Sequence, residues 1–220
     1  MCPKFGKSAV LALVMLFFPE ITTDAKDLRP TVVVYVYNNA KAPESVLAET
    51  GGYVREMFDK AGIELIWLNS MARLRAGQTD SLSVRGKGRA TYVSVVITPR
   101  PDPIAPEIRD LDGKMGWTPR GQHVRTYVFY ERVEIFILNN VARIHTLRVP
   151  RLLTYVIAHE LGHLLLPLAD AHSETGIMKS QLDRNDLAER FSGTLGFNSK
   201  EAQLMRDEIE RRTRLEQMPH

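Results

Sequence analysis

The segment 150–166 constrains the fold more than any other part of the chain, because apolar residues occupy nearly all of its sides. A helix that is apolar all round lies in the interior of a protein. One proline suits its first turn, and a second proline ends it. The segment also contains His159, Glu160 and His163, and buried polar groups are costly unless they have partners. The sequence therefore predicts a central buried helix whose polar side chains bind something.

These three residues form an H-E-x-x-H motif. Side chains at i and i+4 project from one face of a helix, so His159 and His163 can hold one zinc ion together. Glu160, between them, can activate a zinc-bound water. Catalytic zinc commonly has three protein ligands and one open position. A third ligand must therefore come from elsewhere in the chain.

His172 is the best candidate for the third ligand, because it follows the helix-ending proline on a loop that could fold back. Asp170 and Glu174 flank it and are alternatives. A more distant acid would instead give a site of two histidines and one carboxylate. The acids in question are Asp183, Asp186 and Glu189.

Residues 1–25 have the pattern of a secretory signal, with early lysines, an apolar run over 8–18 and a small-residue cleavage site ending at Ala25. The run is shorter than the ~20 residues that span a bilayer, so an uncleaved anchor is the weaker interpretation. We expect a secreted or periplasmic protein with one domain over 26–220. Cys2 is the only cysteine, so this domain has no disulfide and no thiolate ligand.

The charge distribution argues against nucleic acid as a partner. The net charge is +3, basic side chains are scattered, and none alternate with aromatic residues in the way that nucleic-acid surfaces require. We expect a peptide or protein substrate, no stable membrane span after signal cleavage, and a monomer by default.

The remaining pattern predicts an α+β domain, with helices packed on one mixed sheet of about four strands. An N-terminal helix, the central active-site helix and a C-terminal helix are expected, and Gly51-Gly52 could break the first of these. The predicted strands are 31–37, 63–68, 91–98 and 126–130, and the predicted helices are 43–61, 131–144, 150–166 and 198–214.

The motif residues resemble the metzincin clan of zinc metallopeptidases. The matching stretches are His159-Glu-Leu-Gly-His163, His172-Ser173 and Gly176-Ile177-Met178, whose ending is similar to that of matrixin-like members. The resemblance implies His172 as the third ligand and Met178 as a methionine turn under the metal. One position departs from the clan pattern, because Leu166 stands where the clan has a glycine. Eight residues rather than five separate His163 from His172.

The resemblance also implies a short strand at the sheet edge that holds an extended substrate by strand addition. The candidate is the strand of Thr126, Tyr127, Val128, Phe129 and Tyr130.

The implied function is an exported peptidase with one catalytic zinc ion, an endopeptidase rather than an exopeptidase, in which Glu160 activates the water. The alternative is a catalytically inactive zinc-binding relative that acts as a binding module. A further side chain that closes the fourth position, such as Asp170 or Glu174, would favour the alternative.

Overall fold

The computed structural model describes residues 29–70, 90–101, 113–119, 124–140, 148–167, 172–180 and 195–217. The predicted signal segment 1–25 and the acids Asp170, Asp183, Asp186 and Glu189 lie outside these ranges. No helix within the ranges is long and apolar enough to cross a membrane.

Five strands form one mixed sheet in the order β2-β1-β3-β5-β4. The first four in this order are parallel to their neighbours, and β4 runs antiparallel to β5. β1 lies between two parallel partners, which explains why its sequence is apolar on both faces. The predicted α+β domain is confirmed, with five strands rather than about four. The strands are β1 (Thr31–Asn38), β2 (Glu64–Ser70), β3 (Ala90–Thr98), β4 (Gly116–Trp117) and β5 (Arg125–Phe129).

β4 takes the edge position that the sequence predicts for 126–130. β5 is paired on both sides, since Val128 lies opposite Ile97 in β3 and opposite Gly116 in β4. Tyr130 does not belong to the strand and begins a helix. The predicted edge position of this strand is therefore wrong. A two-residue strand is too short to show an alternating pattern, so β4 could not be recognised beforehand.

The helices within the described residues are α1 (Glu44–Lys60), α2 (Tyr130–Asn140), α3 (Val149–Leu165) and α4 (Ser199–Gln217). α1 ends as predicted, because Gly62 has φ 75° and its amide donates to Asp59 O. The glycine pair does not break α1. A Cβ on Gly51 would come within 3.0 Å of the Trp67 ring, so the missing side chain lets β2 pack against the helix.

α3 is the predicted central helix, and it packs against α1, α2, α4 and β5. Its apolar side chains are almost all buried, and each fully buried leucine contributes about 1.5–3 kcal/mol. α4 begins with a capping box, in which Asn198 and Glu201 each accept a hydrogen bond from the other's amide. Arg212 of α4 donates to Leu164 O at 2.6 Å. A cation thereby satisfies a carbonyl at the C-terminal end of α3.

Candidate metal centre

Three histidine side chains converge at the C-terminal half of α3. His159 and His163 lie one turn apart, and their Nε2 atoms are 3.0 Å from each other. His172 reaches the same point from the chain beyond the helix. One ligand nitrogen from each of the three residues lies within 4.8 Å of the other two. The structure therefore brings the three predicted ligands together, although eight residues rather than five separate His163 from His172.

A backbone carbonyl orients the first histidine. Nδ1 of His159 lies 2.8 Å from Ile177 O, and a carbonyl can only accept, so Nδ1 carries the proton and Nε2 presents its lone pair. Burial lowers the pKa of His159, an effect that the Ile177 hydrogen bond opposes and the neighbouring His172 reinforces. The neutral imidazole that results is the form that binds a metal.

The donor set fits a metal ion with three nitrogen ligands. Two Nε2 atoms that face each other at 3.0 Å must share a proton or a cation. The nitrogens of a tetrahedral zinc site with bonds of about 2.0–2.1 Å lie roughly 3.3 Å apart, which is close to this separation. Imidazole also suits copper, iron and nickel, whereas the H-E-x-x-H spacing is typical of zinc sites.

The C-cap of α3 is Leu166, at the position where the pattern H-E-x-x-H-x-x-G-x-x-H has a glycine. Leu166 has φ −83° and ψ 143°, which is an extended conformation open to any residue. Pro167 disfavours the helical conformation in the residue before it. The Leu166 amide still donates to Gly162 O at 2.8 Å, and its side chain is buried. A buried leucine before proline thus ends the helix without a left-handed residue.

Backbone hydrogen bonds hold the segment 172–180, which begins with the third histidine. The Ser173 amide donates to Met178 O at 3.0 Å, and the Ile177 amide donates to Gly196 O at 3.1 Å. Gly176, at φ 83°, makes the turn between them. Met178 is fully buried, and its sulfur lies against Gly162 of α3; its role as a methionine turn stays a prediction. The backbone thus fixes both the third histidine and the carbonyl that orients the first.

The Glu160 carboxylate is buried beside this cluster. Thr118 donates to Oε2 at 2.7 Å, and the Thr126 hydroxyl lies 3.5 Å from the same oxygen. Burial raises the pKa of Glu160 to about 7, against the opposing effects of Thr118, Lys114 and Thr126. A carboxyl with a pKa near neutrality is suited to general acid–base chemistry.

Gly116 in β4 makes room for Glu160. A Cβ at Gly116 would stand 2.7 Å from both Cγ and Oε1 of the glutamate. Sequence reasoning found neither Gly116 nor Thr118, because neither belongs to a motif and both are far from Glu160 along the chain. Only the pairing of β4 with β5 brings them to the site.

The strand 126–130, predicted to bind substrate, contributes a buried threonine beside Glu160. Thr126 is buried and faces Glu160, whereas Tyr127 points to the opposite side of the sheet and stacks on Trp117 at 5.7 Å. Val128 and Phe129 are fully buried, as expected for an interior strand.

One of the flanking acids can be assessed directly. Glu174 is exposed, and the metal-ligand cluster found among the described residues contains only the three histidines. Within those residues the arrangement leaves a fourth coordination position for water or substrate.

No protein-family model matches this chain, and no curated protein sequence does. Among solved structures, the crystal structure of archaemetzincin from Methanopyrus kandleri is similar, with a TM-score of 0.48 and 14% sequence identity. The similarity covers 84% of this chain and 98% of that one.

Proposed function

We propose that the protein is an exported zinc-dependent peptidase. The observation that carries the proposal is the convergence of three imidazole nitrogens within 4.8 Å of one another, two of them on the helix that also carries the buried carboxylate of Glu160. His163 is buried and His159 is partly buried, and polar groups without partners are costly in such positions. A general base on the same helix is what distinguishes a hydrolytic site from a structural one.

Each residue has a definite task in this proposal. His159, His163 and His172 hold the metal and leave a fourth position open. Zinc, when bound, polarises a carbonyl and lowers the pKa of water. Glu160 takes a proton from the attacking water and passes it to the leaving nitrogen of the peptide bond. Its hydrogen bond from Thr118 holds the carboxylate while the proton moves.

The competing function is a zinc-binding module without peptidase activity. It requires a side chain that closes the fourth position, and the exposed position of Glu174 outside the cluster argues against that residue. Asp170 lies outside the described residues, and the buried carboxylate of Glu160 on the helix of His159 and His163 supports the peptidase.

The test is zinc analysis of the protein beginning at Lys26, together with a casein-type cleavage assay. We expect one zinc ion and cleavage for the wild type, zinc without cleavage for Glu160→Gln, and loss of zinc for His172→Ala. A wild type that retains zinc but cleaves no member of a peptide library would support the binding module instead. Cleavage of peptides blocked at both ends would identify an endopeptidase.

Export is a separate part of the proposal and needs its own measurement. Expression of the full chain in a bacterial host should place the protein outside the cytoplasm, with Lys26 as its first residue. Retention of residues 1–25 on a membrane-bound product would indicate an uncleaved anchor.

A further inference from the structure

We infer that Thr118 is a positioning residue that holds the Glu160 carboxylate in its working orientation. The inference rests on the proposed role of Glu160 as general base. Thr118 donates to Glu160 Oε2 at 2.7 Å, and its hydroxyl oxygen also lies 3.2 Å from the backbone carbonyl of the same residue. One threonine hydroxyl thus lies against both the side chain and the main chain of Glu160.

The edge strand is built so that Thr118 faces α3. Trp117 packs on the opposite side of the sheet, where its ring stacks on Tyr127 at 5.7 Å with an angle of 30°. Because side chains alternate along an extended segment, the neighbours Gly116 and Thr118 then point towards Glu160. Gly116 has no side chain to hinder the carboxylate, and Thr118 supplies the hydrogen bond.

A second hydroxyl supports the first. The Thr126 oxygen lies 2.8 Å from that of Thr118 and 3.0 Å from Trp117 O, and the Thr126 side chain is fully buried. The buried partner on β5 limits the directions that the Thr118 hydroxyl can take. A glutamate has several rotatable bonds, and a reacting group that is held in place reacts faster than one that must first find its orientation.

Substitution of Thr118 by valine or serine separates this role from packing. Valine has nearly the shape of threonine and lacks the hydroxyl, whereas serine keeps the hydroxyl and lacks the methyl group. Thr213 provides a matched control, because its partly buried hydroxyl donates to Ile209 O within α4, away from the site. Thr213→Val therefore repeats the chemical change without touching Glu160.

The experiment compares kcat, KM and zinc affinity of wild type, Thr118→Val, Thr118→Ser and Thr213→Val on one peptide substrate. We expect kcat of Thr118→Val to fall about 10- to 100-fold, the range for loss of a hydrogen bond to a charged group. KM and zinc affinity should change little. Thr118→Ser should stay within about threefold of wild type, and so should Thr213→Val.

Crystal structures of the wild type, Thr118→Val and Thr118→Ser complete the test. We expect the Glu160 carboxylate to turn away in the valine variant and to stay in place in the serine variant. The inference is overturned if Thr118→Val keeps kcat within twofold of wild type, or if serine impairs kcat as much as valine. If the wild type cleaves nothing, the proposed function fails, and the crystal structures alone decide whether Thr118 holds the carboxylate.

Discussion

The sulfur of Met178 fills the space beside Gly162 that any larger residue would need. A Cβ at Gly162 would stand 2.3 Å from Sδ of Met178 and 3.2 Å from Cε1 of Phe197. Gly162 precedes the second histidine of the motif, so this contact brings α3 close to the loop that carries His172. The glycine within the H-E-x-x-H motif is therefore a packing requirement of this fold.

Gly162→Ala should destabilise the protein, although alanine is the better helix former by about 1 kcal/mol. The added methyl group meets a fully buried side chain, and overpacking of this kind costs about 1–3 kcal/mol. Zinc affinity should also fall, because the loop must move away from α3. Urea unfolding and a zinc titration measure the two effects.

Gly52→Ala is the matched control for this substitution, because its Cβ would meet nothing within 4 Å in the middle of α1. It should stabilise the protein by about 0.5–1 kcal/mol. If Gly162→Ala and Gly52→Ala raised the free energy of unfolding equally, the contact of residue 162 with Met178 would not affect stability.

His172→Ala should lower zinc affinity by at least about 100-fold, since loss of a second-shell partner alone costs 10- to 100-fold. Glu174→Ala should leave the affinity unchanged, because Glu174 is exposed and lies outside the cluster. Competition with a chromophoric chelator gives both values. If Glu174→Ala or Asp170→Ala loses zinc and His172→Ala does not, the third ligand is a carboxylate.

Glu208→Gln should destabilise the protein at neutral pH, and this effect should shrink as the pH falls towards 2. The Arg211 hydrogen bond lowers the pKa of Glu208 to about 2; burial opposes this, and Arg212 adds to it. A carboxyl whose pKa is depressed on folding stabilises the protein above its unfolded value of about 4.3, and this stabilisation is lost as the pH falls towards 2. We expect a difference of about 1–3 kcal/mol at pH 7 between wild type and variant.

Denaturant unfolding at several pH values measures this difference. The control is Glu56→Gln, which removes the exposed pair with Lys60 at the same i,i+4 spacing and should cost at most about 0.5 kcal/mol. A Glu208→Gln penalty that stays constant from pH 7 to pH 2 would contradict the assignment.

Leu166→Gly should destabilise the protein and should not improve zinc binding, although it introduces the glycine of the H-E-x-x-H-x-x-G-x-x-H pattern. Leu166 is extended and buried, so the substitution removes a core side chain at a cost of about 2–5 kcal/mol and relieves no strain. Leu166→Ala separates the lost packing from the added backbone freedom of glycine. Unfolding and zinc titrations of both variants provide the measurement, and tighter zinc binding by the glycine variant would be the contrary result.

Local patterns predicted most of the fold. The four described helices, the buried character of α3 and four of the five strands all follow from patterns of residues a few positions apart. β4 could not be predicted, because two residues form no pattern. Without β4, the strand 126–130 was wrongly predicted to lie at the edge of the sheet.

In the candidate site, too, some residues could be predicted from the sequence and others could not. The cluster of His159, His163 and His172 could be predicted because the motif and its spacing reflect the chemistry of the ligands. Thr118 could not, since it lies 42 positions from Glu160 and reaches it only through the pairing of two strands. Partners supplied by tertiary structure leave no signal in a single sequence.

The hydrogen-bonded segment 172–180 indicates which part of the sequence a search for similar chains should use. Its hydrogen bonds, from Ser173 to Met178 and from Ile177 to Gly196, lie at or beyond the third histidine rather than before it. A search that demands a glycine and a fixed count between His163 and His172 rejects this chain at the outset. A pattern of H-E-x-x-H, followed at variable distance by H-S-x-x-G-I-M, includes this chain.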